Sequence, residues 1–179
     1  MKKKFWTSDK LVGLVAILIS LITLIIFVRQ TNIMEKQSRL SVMPYLMISK
    51  SDIGSENTHS FALINYGVGP AIIDSTLIFY KERIHHNMEF VDFLKAEIRE
   101  IDSIPILNRS TVTKGLAIPA GGERNFLTVG GNKKTYKAFS EVYEELNSNG
   151  FYFEIYYRSI YDDKWRITSE TDLPQELKD

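Results

Sequence analysis

The sequence predicts a mainly β protein: an N-terminal transmembrane helix followed by an antiparallel, immunoglobulin-like β-sandwich with two inserted helices. Three observations predict it. Residues 11–28 (LVGLVAILISLITLIIFV) are 18 in number and contain no charge, no proline and no amide side chain. At ~1.5 Å per helical residue they measure about 27 Å, close to the ~30 Å hydrocarbon core of a bilayer. Behind them, short β-patterned runs alternate with Gly, Pro, Asn and Asp turn signals. Two stretches, 88–101 and 134–147, switch to helical spacing. There is no β-α-β alternation and no internal repeat, which favours two packed antiparallel sheets, with an open barrel as the alternative.

The divisions that follow are a tail (1–10), a transmembrane helix (11–28), a juxtamembrane stalk (29–43), a β-sandwich (44–172) and a tail (173–179). The span is longer than a cleaved signal peptide's apolar core, and Phe27-Val28-Arg29-Gln30 offers no small-residue cleavage site, so an uncleaved signal-anchor is expected. Phe5 and Trp6 suit the membrane interface. Gly13, Ala16, Ser20 and Thr23 form a stripe of small residues that lets two helix backbones approach, although small residues also align by chance. Helical spacing continues weakly through Ile33, Met34, Gln37 and Leu40, until Pro44 disfavours helical geometry at Met43.

Within the domain, 45–50 reads as a strand and 51–60 as a polar loop. Strands are expected at 61–66 and at 71–80, the latter apolar on both sides and so a central strand covered on both faces. A short strand is expected at 84–87, then a helix over 88–101 capped by Asn87. Residues 103–109 read as irregular around Pro105, 111–117 and 124–129 as strands, and 134–147 as a helix stopped by Asn149-Gly150. The clearest alternation is 151–158 (FYFEIYYR), which an Asp162-Asp163 turn pairs with 165–171, ahead of a frayed tail.

Charge divides unevenly. Residues 1–40 carry seven Lys/Arg and two Asp/Glu, while the remainder carries 15 and 20. Lys2, Lys3, Lys4 and Lys10 precede the span, and Arg29, Lys36 and Arg39 follow it. Basic charge beside the span meets anionic lipid headgroups. The slight N-terminal excess, with the terminal amine, places the N-terminus in the cytoplasm and the domain outside, in a bacterial inner membrane; the opposite orientation is the alternative. An acidic domain is a poor partner for nucleic acid. There is no cysteine, hence no disulfide, thiolate nucleophile or thiolate metal site, and a disulfide-free extracytoplasmic domain fits a bacterial source.

The segments QTNIMEKQSRLSVMPYL, FALINYGVGPAIID, IPAGGE and YYRSIYDDKW, in that order after a single span, resemble a group of uncharacterised bacterial single-pass membrane proteins with a small C-terminal β-rich domain. The resemblance covers most of the chain. It implies the architecture and brings no catalytic or ligand residue with it.

No catalytic, cofactor-binding or metal-binding set stands out. His85 and His86 are neighbours whose side chains point to opposite faces of a strand, and His59 lies in another segment; exposed or edge histidines are the ordinary account. Gly67 and Gly69 precede a proline and another strand, the wrong context for a phosphate loop. Gly130, Gly131, Lys133 and Lys134 lead into a helix whose N–H groups suit an anion, although a solvated turn explains them as well. There is no G-x-S-x-G, and Glu141, Glu144 and Glu145 fall on a polar helix face. The remaining signal is aromatic density near the C-terminus. Tyr152, Tyr156 and Arg158 share one strand face, and Tyr and Arg are frequent interface anchors, although Tyr also simply suits a half-covered sheet. The function expected is therefore a non-enzymatic, membrane-anchored binding or assembly protein that contacts lipid and a protein partner or a second copy. A tethered ligand sensor or effector signalling through helix association is the alternative, and a tethered hydrolase a distant third.

Overall fold

The computed structural model describes residues 8–171 and 173–177. Lys2, Lys3, Lys4, Phe5 and Trp6 lie outside the described residues. The chain forms two units, Met1–Ser41 and Val42–Asp179.

The first unit is one helix, α1 (Ser8–Leu40), with no buried residue and a mean hydropathy of 3.2 over its most apolar 18 residues. It is long and apolar enough to cross a membrane. Three of its hydroxyls bond back to the helix: Ser20 donates to the Ala16 carbonyl at 2.9 Å, Thr23 to Ile19 at 2.8 Å and Thr31 to Phe27 at 3.0 Å. Both hydroxyls of the apolar run, Ser20 and Thr23, are thus satisfied within the helix, as a hydrocarbon setting demands. Of the stalk expected over residues 29–43, residues 29–40 are unbroken helix, and an Arg39–Glu35 pair at 3.2 Å supports the last turn.

The second unit is mainly β, with two antiparallel sheets. The first runs in the order β1 (Leu46–Ile53), β2 (Thr58–Asn65), β7 (Glu123–Gly130), β5 (Ile106–Arg109). The second runs β10 (Gln175–Leu177), β9 (Lys164–Thr168), β8 (Tyr152–Arg158), β3 (Ala71–Tyr80), β4 (Arg83–His86), with the two-residue β6 (Ala117–Ile118) beside the start of β3. Period-two alternation sends Leu46, Ile48, Phe61, Leu63 and Leu127 of the first sheet, and Ile78, Phe153, Ile155, Tyr157 and Ile167 of the second, into one buried cluster, and an irregularity between Ile73 and Ser75 turns Ile73 to the same side. Helix α2 (Phe90–Glu97) and helix α3 (Lys133–Ser148) add Phe93, Leu94, Phe139, Val142 and Leu146 to it. Phe90 lies at its aromatic centre, with Phe61, Phe126, Phe151 and Phe153 all 5.6–5.7 Å away, at tilted or edge-on angles that suit ring quadrupoles.

Several expectations are corrected. Residues 51–60 are not a loop: the β1–β2 ladder extends through Ser51↔Ser60 and Asp52↔His59 to Ile53↔Thr58, because backbone pairing is indifferent to polar side chains. Only residues 54–57 turn, with Asn57 at φ 52°. The helix expected over 88–101 breaks at Ile98, which adopts extended geometry, and resumes as a 3₁₀ turn (Arg99–Ser103). Asn87 does not cap it. At φ 51° Asn87 closes the edge of β3, its N–H donating to the Thr76 carbonyl and its Oδ1 accepting the Thr76 N–H. Residues 103–109 contain β5; Pro105 precedes it on a sheet edge, where a missing N–H breaks no ladder bond. The strand expected over 111–117 reduces to β6, since the chain turns at Gly115 (φ 87°) and Leu116 bonds back to Thr113. β9 ends at Thr168, and the tail expected to fray supplies β10. β3 is an interior strand buried on one face and half-buried on the other, because α2 and α3 pack on the inner side only.

One polar residue lies at the centre of the fold. Asn65 is completely buried and makes four side-chain bonds: Oδ1 accepts from the N–H groups of Tyr45 (3.1 Å) and Gly67 (3.0 Å), and Nδ2 donates to the carbonyls of Gly69 (2.8 Å) and Ile118 (3.0 Å). Tyr66 and Val68 add backbone bonds to the carbonyls of Tyr45 and Met43, so residues 65–70 clamp residues 42–45. A side chain at Gly69 would run into Val42, and one at Gly67 into the backbone of residues 43–45. The NYGVGP segment is thus the seat of the chain's entry into the domain, not a phosphate loop.

Candidate functional site

The stripe Gly13, Ala16, Ser20 and Thr23 lies on α1, exposed throughout, with nothing within 4 Å of where a Gly13 side chain would stand. On the domain, β8 places Tyr152, Tyr156 and Arg158 on the outer face of the second sheet, all three half-buried. The register then builds the rest of that face. Ile84, Phe79 and Tyr152 align across β4, β3 and β8; in the next row stand His86, Leu77, Glu154 and Thr168; beyond them Ser75, Tyr156, Arg166 and Gln175.

The face has two halves. The apolar half is Ile84, Phe79, Leu77 and Tyr152; Phe79 and Tyr152 stack at 4.3 Å with ring planes 6° apart, and Ile84 is 51% exposed. The polar half is held by its own bonds. Tyr156 donates to Glu154 at 2.8 Å, Arg166 reaches the same carboxylate at 3.3 Å, and Arg166 also bonds Gln175 at 2.7 Å. Arg158 lies 2.6 Å from Asp162 and 3.0 Å from Asp74. Burial, then the bond to Glu154, raises the Tyr156 phenol above its ordinary pKa. The bond to Asp162, then the charge of Asp74, raises Arg158 further still. These groups stay neutral and cationic respectively at neutral pH. The structure therefore brings the three sequence-derived residues together, and adds Phe79, Leu77 and Ile84, which only strand register could reveal.

The other candidates disperse or close. In β4, His86 stands opposite Leu77 on the outer face and His85 opposite Ile78 on the inner one. His85 Nε2 lies 3.8 Å from Glu97, beyond hydrogen-bond reach. Among the described residues no three His, Asp or Glu side chains gather into a set that would hold a metal ion. The N-terminus of α3 is capped from within, since Asn132 Oδ1 accepts from Lys134 and Thr135 at 3.0 Å each, leaving those N–H groups unavailable to an anion.

His59 departs from expectation. It is 8% exposed, its ring stacked on Tyr136 at 4.5 Å and tilted against Phe139 at 5.3 Å. Alternation backward from Phe61 and Leu63 points it inward, a signal hidden by assigning residue 59 to a loop. Its Nε2 lies 3.0 Å from Ser140 Oγ, and its Nδ1 lies 3.9 Å from Asp52. Ser, His and Asp side chains thus come together without the geometry of a nucleophilic triad. Ser140 donates to its own helix at the Tyr136 carbonyl, and Asp52 accepts from Tyr136 at 2.6 Å, raising that phenol's pKa. The hydroxyl proton faces the backbone and the imidazole–carboxylate contact is too long, so the cluster pins α3 to β1 and β2.

A cavity opens between the sheets, where β3 passes from pairing with β6 to pairing with β4. It is narrow, and Phe90, Phe126, Phe153 and Ile155 line it with Thr76 and Arg109. No family model, curated protein or solved structure matches the chain.

Proposed function

We propose that this is a non-enzymatic, membrane-anchored binding or assembly protein. α1 is its single span in a bacterial inner membrane, with the N-terminus cytoplasmic and the domain extracytoplasmic. The domain is an immunoglobulin-like sandwich. Its strand order supports this: β1-β2-β7-β5 opposite β9-β8-β3-β4 follows the A-B-E-D and G-F-C order of that fold, with α2 and α3 as insertions in two of its connections.

The observation that carries the binding reading is the outer face of the second sheet. Tyr152, Phe79, Leu77 and Ile84 form an apolar patch beside a bonded rim of Tyr156, Glu154, Arg158 and Arg166. Fixed aromatic side chains lose little entropy on association, and a rim already paired within the face leaves no charge stranded when water is expelled. The partner is a protein or a second copy of this chain. Full-length protein purified in mild detergent at native abundance is expected to carry that partner. Ile84→Ser should release it with an unchanged unfolding temperature, and Tyr152→Ala should release it while costing only about 0.5–1.5 kcal/mol of stability with the lost Phe79 stack. A solitary monomer at native abundance would sink the reading.

The cavity supports a second reading, a tethered ligand sensor or effector signalling through association of α1. The feature that supports it is the lining, which sets phenylalanines beside the cation of Arg109.

A further inference from the structure

The first sheet ends on β1, which pairs with β2 alone. Tyr66 donates its backbone N–H to the Tyr45 carbonyl at 2.8 Å. With Leu46 opposite Asn65, the alternation of an antiparallel ladder makes the odd-numbered residues of β1 the ones bonded to β2. The N–H and C=O groups of Leu46, Ile48, Lys50 and Asp52 therefore point to the open side. Tyr157 Oη accepts from the Leu46 N–H at 3.3 Å. The main-chain groups of Ile48 and Lys50 meet no partner among the described residues.

These groups face a groove. Met47, Ile48, Ser49 and Lys50 line it from β1, Ile64 from β2 and Tyr66 from just beyond it, and Thr168, Ser169 and Thr171 from the segment at and beyond the end of β9. The chemistry that complements such an edge is an extended polypeptide backbone, which presents N–H and C=O groups at the same repeat. β1 is the longest open edge: eight residues, against four in β4, four in β5 and three in β10. Its guard is a single side chain. Lys50 Nζ crosses the groove to the Ser169 carbonyl at 2.6 Å, and a lysine on an edge strand deters indiscriminate pairing. An entering strand displaces one solvent-exposed hydrogen bond and gains several main-chain ones.

We propose that the open edge of β1 receives an extended segment of a partner protein by strand addition, bonded to the main chain of Ile48 and Lys50. This surface is separate from the outer face of the second sheet, and the two stand or fall independently.

The test selects binders from a random 12-residue peptide library on phage, using full-length protein in nanodiscs. It then measures affinity and backbone amide exchange with the selected synthetic peptides. Lys50→Pro removes one outward N–H together with the guarding side chain and leaves the β1–β2 ladder whole; Lys50→Ala removes the guard alone and is the reference for it. Binders are expected to slow exchange at Ile48 and Lys50. Lys50→Pro should weaken them about three- to tenfold, the size of one net hydrogen bond, while Lys50→Ala and Tyr152→Ala leave them at least as tight. The proposal is overturned if no binder protects those two amides, if Lys50→Pro binds like Lys50→Ala, or if the amides are already protected in a dimer of this chain. Should Lys50→Pro fail to fold, exchange at Ile48 and Lys50 in the native chain decides the matter.

Discussion

Asn65 shows how one side chain can hold a domain's entry together. Both of its polar atoms are used twice, and it reaches the entering chain, the turn that follows β2, and β6. Asn65→Ala would leave two N–H groups and two carbonyls without these partners, at about 1–3 kcal/mol for each one left buried. A loss of 4 kcal/mol or more is expected in urea unfolding of the full-length protein. Asn65→Asp should fare little better, because a carboxylate cannot donate to the Gly69 and Ile118 carbonyls. Tyr157 makes a related argument with pH. Burial raises its phenol well above the ordinary tyrosine value of about 10. With the folded pKa above the unfolded one, its contribution is complete below about pH 10 and is lost as the unfolded chain ionises above that. Stability should therefore fall above pH 10, and less steeply in Tyr157→Phe. That variant should also lose about 1 kcal/mol at neutral pH with the bond to the Leu46 N–H. Chemical unfolding at pH 7 and pH 11 checks both.

Among the elements, α3 has the clearest local logic. Asn132 caps it through two N–H groups, and Phe139, Val142 and Leu146 make its buried face. Asn132→Ala should cost about 1 kcal/mol by equilibrium unfolding, whereas substitutions at the exposed Glu141 or Glu144 should change stability by under 0.5 kcal/mol. The helix is also tied down through its outer side, where Tyr136 stacks on His59 and donates to Asp52. α2 is shorter than its apolar spacing implies, because Ile98 and Ile101 reach the core from an extended residue and a 3₁₀ turn. Period alone reports which residues turn inward, not how the backbone between them is bonded.

For the whole molecule, the exposed apolar helix and the self-contained domain make separate demands. α1 buries none of its own residues. The full-length chain is therefore expected in the membrane fraction, resistant to alkaline carbonate, and its appearance in the aqueous fraction would remove the anchor reading. A periplasmic reporter fused after residue 179 should be active and a cytoplasmic one inactive. If the small-residue stripe joins two helices, replacing Gly13, Ala16 and Ser20 together by Leu should lower the oligomeric state seen by crosslinking in membranes; an unchanged state would exclude the stripe from assembly.

The amino-acid order by itself determined the helix, the β character of the domain and the position of β3, β7, β8 and α3, because those depend on local period and on breakers such as Gly67, Pro70 and Gly150. It also placed Tyr152, Tyr156 and Arg158 on one face, since a strand's alternation needs no neighbour. Tertiary structure alone decided the rest. Residues 51–53 and 58–60, polar but for Ile53, become strand because a partner ladder pairs their backbones, and His59 becomes a core residue because α3 covers it. Phe79, Leu77 and Ile84 join Tyr152 through registers between distant segments, and the edge of β1 is open because the sheet ends there. Side-chain pattern is written in the chain, but which backbone groups find partners is settled only when strands far apart in sequence are brought side by side.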